Sequence, residues 1–284
     1  MRKLWAPLAA MIISTGLLTG CSASSQVCEQ QNALRAEGMS LAAAGDYESA
    51  IASYDEALSL ADLRAGSLEL DIAAYKAAAL YRSGELTEAI DLYSAILDLK
   101  KSAEIYLTRG LLYREAGDQE AANADFAAAM DMTSKKDLVM LGRLSYYMED
   151  YSSAKSYLEE ATADGDPEGI YWQAELYWEM GNKDYALTLY QSYLTTEGAE
   201  HPDAYAKVAS YQVDQEQYDA ALETLEAGIA LGDSDVLQQL LAMRIAVYEY
   251  QSDWATAKSL MESYLESYPE DEDALREYEF LQMR

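Results

Sequence analysis

The chain has 284 residues, with 20 Lys and Arg against 50 Asp and Glu, for a formal net charge of −30. Such a surface repels nucleic acid and, taken as a whole, an anionic membrane face. Gly and Pro are scarce, at 15 and 4 copies, which favours helix and disfavours a turn-rich β fold.

Arg2 and Lys3 precede an apolar run from Leu4 to Leu18. The run has the length of a signal-peptide core and is short for a bilayer span. It ends in Leu18-Thr19-Gly20-Cys21, which resembles the bacterial lipobox. The resemblance implies that residues 1–20 are a signal peptide and that Cys21 is acylated on sulfur and becomes the mature N-terminus. Residues 21–31 then read as the lipidated Cys and a short polar tether, which contains the second cysteine, Cys28. No disulfide framework is expected, so stability must come from packing.

From Asn32 onward a phrase recurs: an aromatic residue, two variable residues, then Ala and an aliphatic residue. It reads Tyr47-Glu48-Ser49-Ala50-Ile51, returns with Leu86 in the first slot, and returns again at Tyr151, Tyr218 and Trp254. The alanines fall at 50, 89, 122, 154, 186, 221 and 257. A small residue recurs in the preceding segment as Gly38, Ala77, Gly110, Gly142, Ala174 and Ala209, with Ile245 in the seventh copy. Gly45, Gly84, Gly117 and Gly181 sit where a left-handed turn residue is wanted. Large residues follow: Tyr54, Tyr93, Phe126, Leu158, Tyr190, Leu225 and Met261. Small residues allow close helix crossing, and large ones fill the facing gap.

The pattern resembles the tetratricopeptide repeat, whose period is roughly 34 residues. The resemblance implies an all-α fold, an α-solenoid of about seven helical hairpins. Their boundaries are about 32–65, 67–101, 103–134, 135–166, 167–200, 202–236 and 238–270, within a repeat array over 32–270. A 39-residue step after Ala50 predicts a longer linker near Leu60 to Leu68. Gly228 and Tyr264 are unusual at their positions and predict distortion in the last repeats. Residues 271–284 read as a C-terminal capping helix with a polar outer face.

Convergent catalytic groups do not stand out, so no enzyme activity, cofactor or metal is expected. The single histidine, His201, precedes Pro202 at an inter-repeat turn and reads as a surface residue. Asp164 to Gly169, with Glu175 later, matches the ligand spacing of a calcium loop. The repeat register opposes that match, because it makes Pro167 the first residue of a helix capped by Asp166.

In the family, first helices line a groove that holds a partner segment. Projecting the register places Arg82, Leu111, Arg114, Arg143, Tyr146, Tyr147, Tyr171 and Trp178 there. The N-terminal part of such a groove reads as basic and aromatic, the later part as acidic. The expected function is a protein–protein interaction scaffold in the bacterial cell envelope, touching the cell membrane or outer membrane through its lipid anchor only. Its partner is a protein or peptide, and not a nucleic acid. The alternatives are a self-associating structural element (a homodimer) and, further off, a glycan-binding accessory or enzyme.

Overall fold

A computed structural model describes residues 25–61, 65–232, 234 and 236–284. The expected signal peptide and the expected acylation site, Cys21, lie outside these. Among the described residues there are fifteen helices and no strands, and no helix is long and apolar enough to cross a membrane.

The chain divides into two compact units, up to Ala161 and from Thr162. The first holds four hairpins: α1 (Ser25–Ala43) with α2 (Tyr47–Ser59), α3 (Ser67–Arg82) with α4 (Leu86–Leu99), α5 (Ala103–Glu115) with α6 (Gln119–Met132), and α7 (Leu138–Tyr147) with α8 (Tyr151–Ala163). The boundary falls in the last turn of α8. The second unit holds α9 (Pro167–Glu179) with α10 (Lys183–Tyr193), α11 (Pro202–Asp214) with α12 (Tyr218–Ile229), α13 (Leu237–Tyr250) with α14 (Trp254–Ser267), and then α15 (Glu272–Leu281).

Every hairpin turn has a left-handed residue at the same place. Four use glycine, at φ from 78° at Gly45 to 94° at Gly84, and three use Glu149 (62°), Glu216 (58°) and Ser252 (61°). The geometry therefore persists where the glycine is absent. Asp46, Asp118 and Asp253 then cap the second helix by accepting from a backbone N–H three residues on.

The small–large pairing works by close approach. A Cβ on Gly110 would lie 2.6 Å from Phe126 Cε1, and one on Gly38 would lie 2.5 Å from Tyr54 Cε1. Successive hairpins are joined by shared apolar cores. One gathers Ala50, Tyr54, Leu68 and Ile72; another, in the second unit, gathers Ala209, Ala221, Leu225 and Leu240. A single hairpin cannot cover its own apolar face, so each core needs the next hairpin. The sixth and seventh hairpins are regular helices. Gly228 is used differently there, its backbone lying against Tyr205 and Leu240 of α11 and α13. α15 closes the last core with Ala274 and Leu281 against Ile245, Met261 and Tyr264.

The tether expected over residues 21–31 is corrected from Ser25 onward. α1 already runs there, and Gln31 is fully buried. Its Nε2 donates to Ala57 O at 3.1 Å and to Glu69 Oε1 at 3.2 Å. Glu69 Oε2 in turn accepts from Gly66 N at 2.7 Å. A polar residue with that many partners is structural, and it ties the first helix to the start of α3. Cys28, on α1, is not a free thiol.

Candidate protein-binding face

First helices of successive hairpins touch within each unit, α1 with α3 and α11 with α13, and they present the face on which a partner segment would lie. The eight expected groove residues divide by burial. Leu111, Arg143, Tyr147 and Tyr171 are buried and belong to the packing rather than to a contact surface. Arg82, Arg114, Tyr146 and Trp178 remain half-buried. The correction has a simple cause. Helix register places a residue on a face, while the neighbouring hairpin, unknown from register, decides whether that face is covered.

In the first unit, arginines lie on tyrosines. Arg82 Nε donates to the Tyr47 hydroxyl at 3.0 Å, and its guanidinium sits 5.4 Å from that ring. Arg114 lies 4.9 Å from the Tyr147 ring, which meets Tyr146 edge-on at 5.2 Å. Arg35 stacks 5.4 Å from Tyr75 and pairs with Asp71 at 2.7 Å. The expected basic groove is thus largely compensated. Its cations are ordered by rings and carboxylates, and Arg143 is only 8% exposed.

The second unit contains a polar cluster that register placed only in part. Lys207 on α11 contacts Glu175 of α9, donates to the Tyr190 hydroxyl at 2.8 Å and reaches Asp203 Oδ2 at 3.3 Å. Its ammonium lies 4.7 Å from the Tyr190 ring and 5.5 Å from that of Trp178. Tyr171 donates to Asp203 Oδ2 at 2.8 Å, and Tyr190 donates to Glu175 Oε1 at 2.5 Å. Burial pushes the Glu175 carboxyl above the usual carboxylate range, and Lys207 only partly opposes it. Burial also works against the charge of Asp203 and is the largest single influence on it, yet Lys207, His201 and the hydrogen bond from Tyr171 together outweigh it and hold this carboxyl low. Lys207 itself is buried, but its two carboxylates keep it firmly protonated. Asp203 and Lys207 at i,i+4 on α11, one repeat beyond Glu175, were the available signal for this cluster.

His201 is corrected from a surface residue to a core one. It is 3% exposed, and its ring stacks on Tyr171 at 3.6 Å with 4° between planes. Its Nε2 lies 2.8 Å from Glu168 Oε1. α9 begins at Pro167, with Asp166 accepting from Glu168 N at 2.9 Å, so the calcium-like stretch is helical where a metal loop would have to turn.

Two-helix repeats with a small–large crossing in all but the seventh hairpin define a helical-repeat protein. Tetratricopeptide repeat models match residues 35–104 and 139–205, 103–136, and 242–271, together well over half of the chain. The chain belongs to the tetratricopeptide repeat family. Among solved structures it is similar to yeast Tom70 (17% identity, TM-score 0.62, covering 90% of this chain and 56% of that one). It is also similar to the APC/C hetero-tetramer Cut9–Hcn1 (13% identity, TM-score 0.51, covering 90% and 57%). The chain therefore spans a little over half the length of each. A tetratricopeptide repeat protein from Parabacteroides merdae aligns over 90% of this chain and 100% of its own, at 18% identity and a TM-score of 0.47. A search of curated proteins found no match. At these identities the likeness concerns the fold alone.

Proposed function

We propose that this chain is a non-catalytic scaffold of the bacterial cell envelope, anchored by a lipid on Cys21 and binding a partner protein or peptide along its first helices. The observation that carries the binding half is the set of pre-ordered anchors in the first unit. Arg82 on Tyr47 and Arg114 on Tyr147 are half-buried and stacked before any partner arrives. Arginine and aromatic side chains dominate interface energetics, and ordering them in advance removes part of the entropy cost of binding. Arg114, beside half-buried Tyr146, favours a segment with acidic groups. The Cut9–Hcn1 hetero-tetramer is a case in which a chain of this fold assembles with a second protein.

The test uses the chain from Ser22 onward to capture partners from envelope extract, alongside the variant Arg82→Glu with Arg114→Glu. Loss of the captured protein in the variant supports the face; unchanged capture removes it. The anchor is tested separately by intact mass. One sulfur on Cys21 can carry an acylglyceryl thioether or a disulfide to Cys28, but not both. A mature chain beginning at Cys21 with the acyl mass supports the anchor, and an unacylated chain overturns it.

A further inference from the structure

The described basic residues of the first unit are nearly all engaged. Arg35 pairs with Asp71, Lys76 with Asp55, Arg109 with Asp125 and Lys155 with Glu159. Arg82 and Arg114 lie on tyrosine rings, and Arg143 is buried. Four lysines remain: Lys100 and Lys101 after α4, and Lys135 and Lys136 after α6. All four are exposed. The two pairs sit one repeat apart, and their loops border one shallow cavity of about 370 Å³, lined by Lys100, Lys101, Met132, Ser134 and Met140 among others. Two large apolar side chains stand out into solvent beside them, Leu99 at 67% exposure and Met132 at 46%.

The same segments carry four acids, and two of these are occupied locally. Asp137 caps α7, accepting from Met140 N at 3.1 Å, and Glu104 lies in the first turn of α5, accepting from the Ser102 hydroxyl at 2.5 Å. The partial positive charge of each helix start offsets part of theirs, as the partial negative ends of α4 and α6 offset part of the lysines'. Four acids thus face four unengaged ammonium groups, and this edge is near neutral on a chain that is otherwise strongly acidic. The chain total of −30 acts weakly here, because salt confines the field of distant charges to about 8 Å.

We infer that this inter-hairpin edge of the first unit docks on an anionic lipid surface, its lysines at the headgroups and Leu99 and Met132 at the acyl boundary. Basic side chains beside projecting apolar ones are the pattern of a shallow membrane contact, and a lipid anchor is strengthened by a second, polybasic one. The inference rests on the anchored reading above and adds an orientation to it. The acidic remainder of the unit is repelled from the same surface, so only this edge faces lipid.

The test is amine acetylation read residue by residue by mass spectrometry, on the full acylated chain in vesicles of phosphatidylcholine alone or with about one-third phosphatidylglycerol. Lys100, Lys101, Lys135 and Lys136 should label at least about threefold more slowly on the anionic vesicles, and recover at ~0.5 M salt. Lys155, Lys183 and Lys258 should not change. A parallel arm holds a Cys21→Ser chain by an N-terminal polyhistidine tag on nickel-chelating lipid, so that a chain lacking native acylation still meets the surface. Failure of the anchor then appears as native chain that does not float with vesicles. Failure of the edge appears as equal labelling of the four lysines on both vesicle types in the tethered arm. Protection of these lysines by a soluble polyglutamate peptide, with none from vesicles, would assign the edge to an acidic protein and overturn the inference.

Discussion

Gly110 lies so close to Phe126 that the crossing of α5 and α6 has no room for a methyl group. Gly110→Ala is expected to cost about 1–3 kcal/mol in urea unfolding, as overpacking does, and adding Phe126→Leu should return part of it. The opposite change is available at the turns. Glu216 holds a left-handed backbone at φ 58° without glycine, so Glu216→Gly should stabilise the second unit by about 0.5–1 kcal/mol, read as a higher urea midpoint at constant slope. Lys207 is the third case. Lys207→Met leaves Glu175 and Asp203 facing each other, at a cost of about 3 kcal/mol near neutral pH. The sign with pH follows from Glu175, whose native pKa is already raised by burial. Native chain then binds a proton that unfolded chain releases, so the variant should recover stability as pH falls from neutral toward the ordinary carboxylate range. A loss independent of pH would show that packing of the Lys207 stem, not its charge, is what matters.

Hairpins and turns were legible in the sequence because each is set by local chemistry repeated seven times. Small residues at the crossing and aspartates at the caps carry their meaning without knowledge of neighbours. Glu149, Glu216 and Ser252 carry no residue type that marks a left-handed backbone, yet they adopt it where the repeat demands a turn. Burial of Tyr171, His201 and Arg143 was not legible, because it depends on which side chains of the next hairpin arrive over them. Gln31 was hidden for the same reason: a polar residue in a polar stretch gives no sign that its amide will bridge Ala57 and Glu69. At the same scale, α15 faces α13 with like charges. Burial, with Glu277 nearby, pushes the Glu249 carboxyl up to about 6. The native state therefore loses stability as pH rises from the ordinary carboxylate range through about 6. Glu277→Gln should remove part of that loss, about 1 kcal/mol at pH 7 after allowance for solvent screening. Equal unfolding midpoints for variant and parent at pH 7 would show that the two carboxyls do not meet.

Across the whole molecule, stability is shared between neighbours along the chain rather than through one centre. Deleting residues 272–284 should therefore uncover the core around Ile245, Met261 and Tyr264. Hydrogen exchange is expected to speed up in α13 and α14 while α1 to α4 keep their protection. Uniform loss across all helices would mean a single cooperative unit.

The early start of α1 has a consequence for how a partner arrives. In the proposed anchored form, acylated at Cys21 and helical from Ser25, four peptide steps would separate lipid from folded chain, a leash of at most about 14 Å. A protein on so short a leash searches for its partner across a surface rather than through a volume. A second protein held in the same thin layer meets it at a raised effective concentration, so modest intrinsic affinity is enough for lasting occupancy.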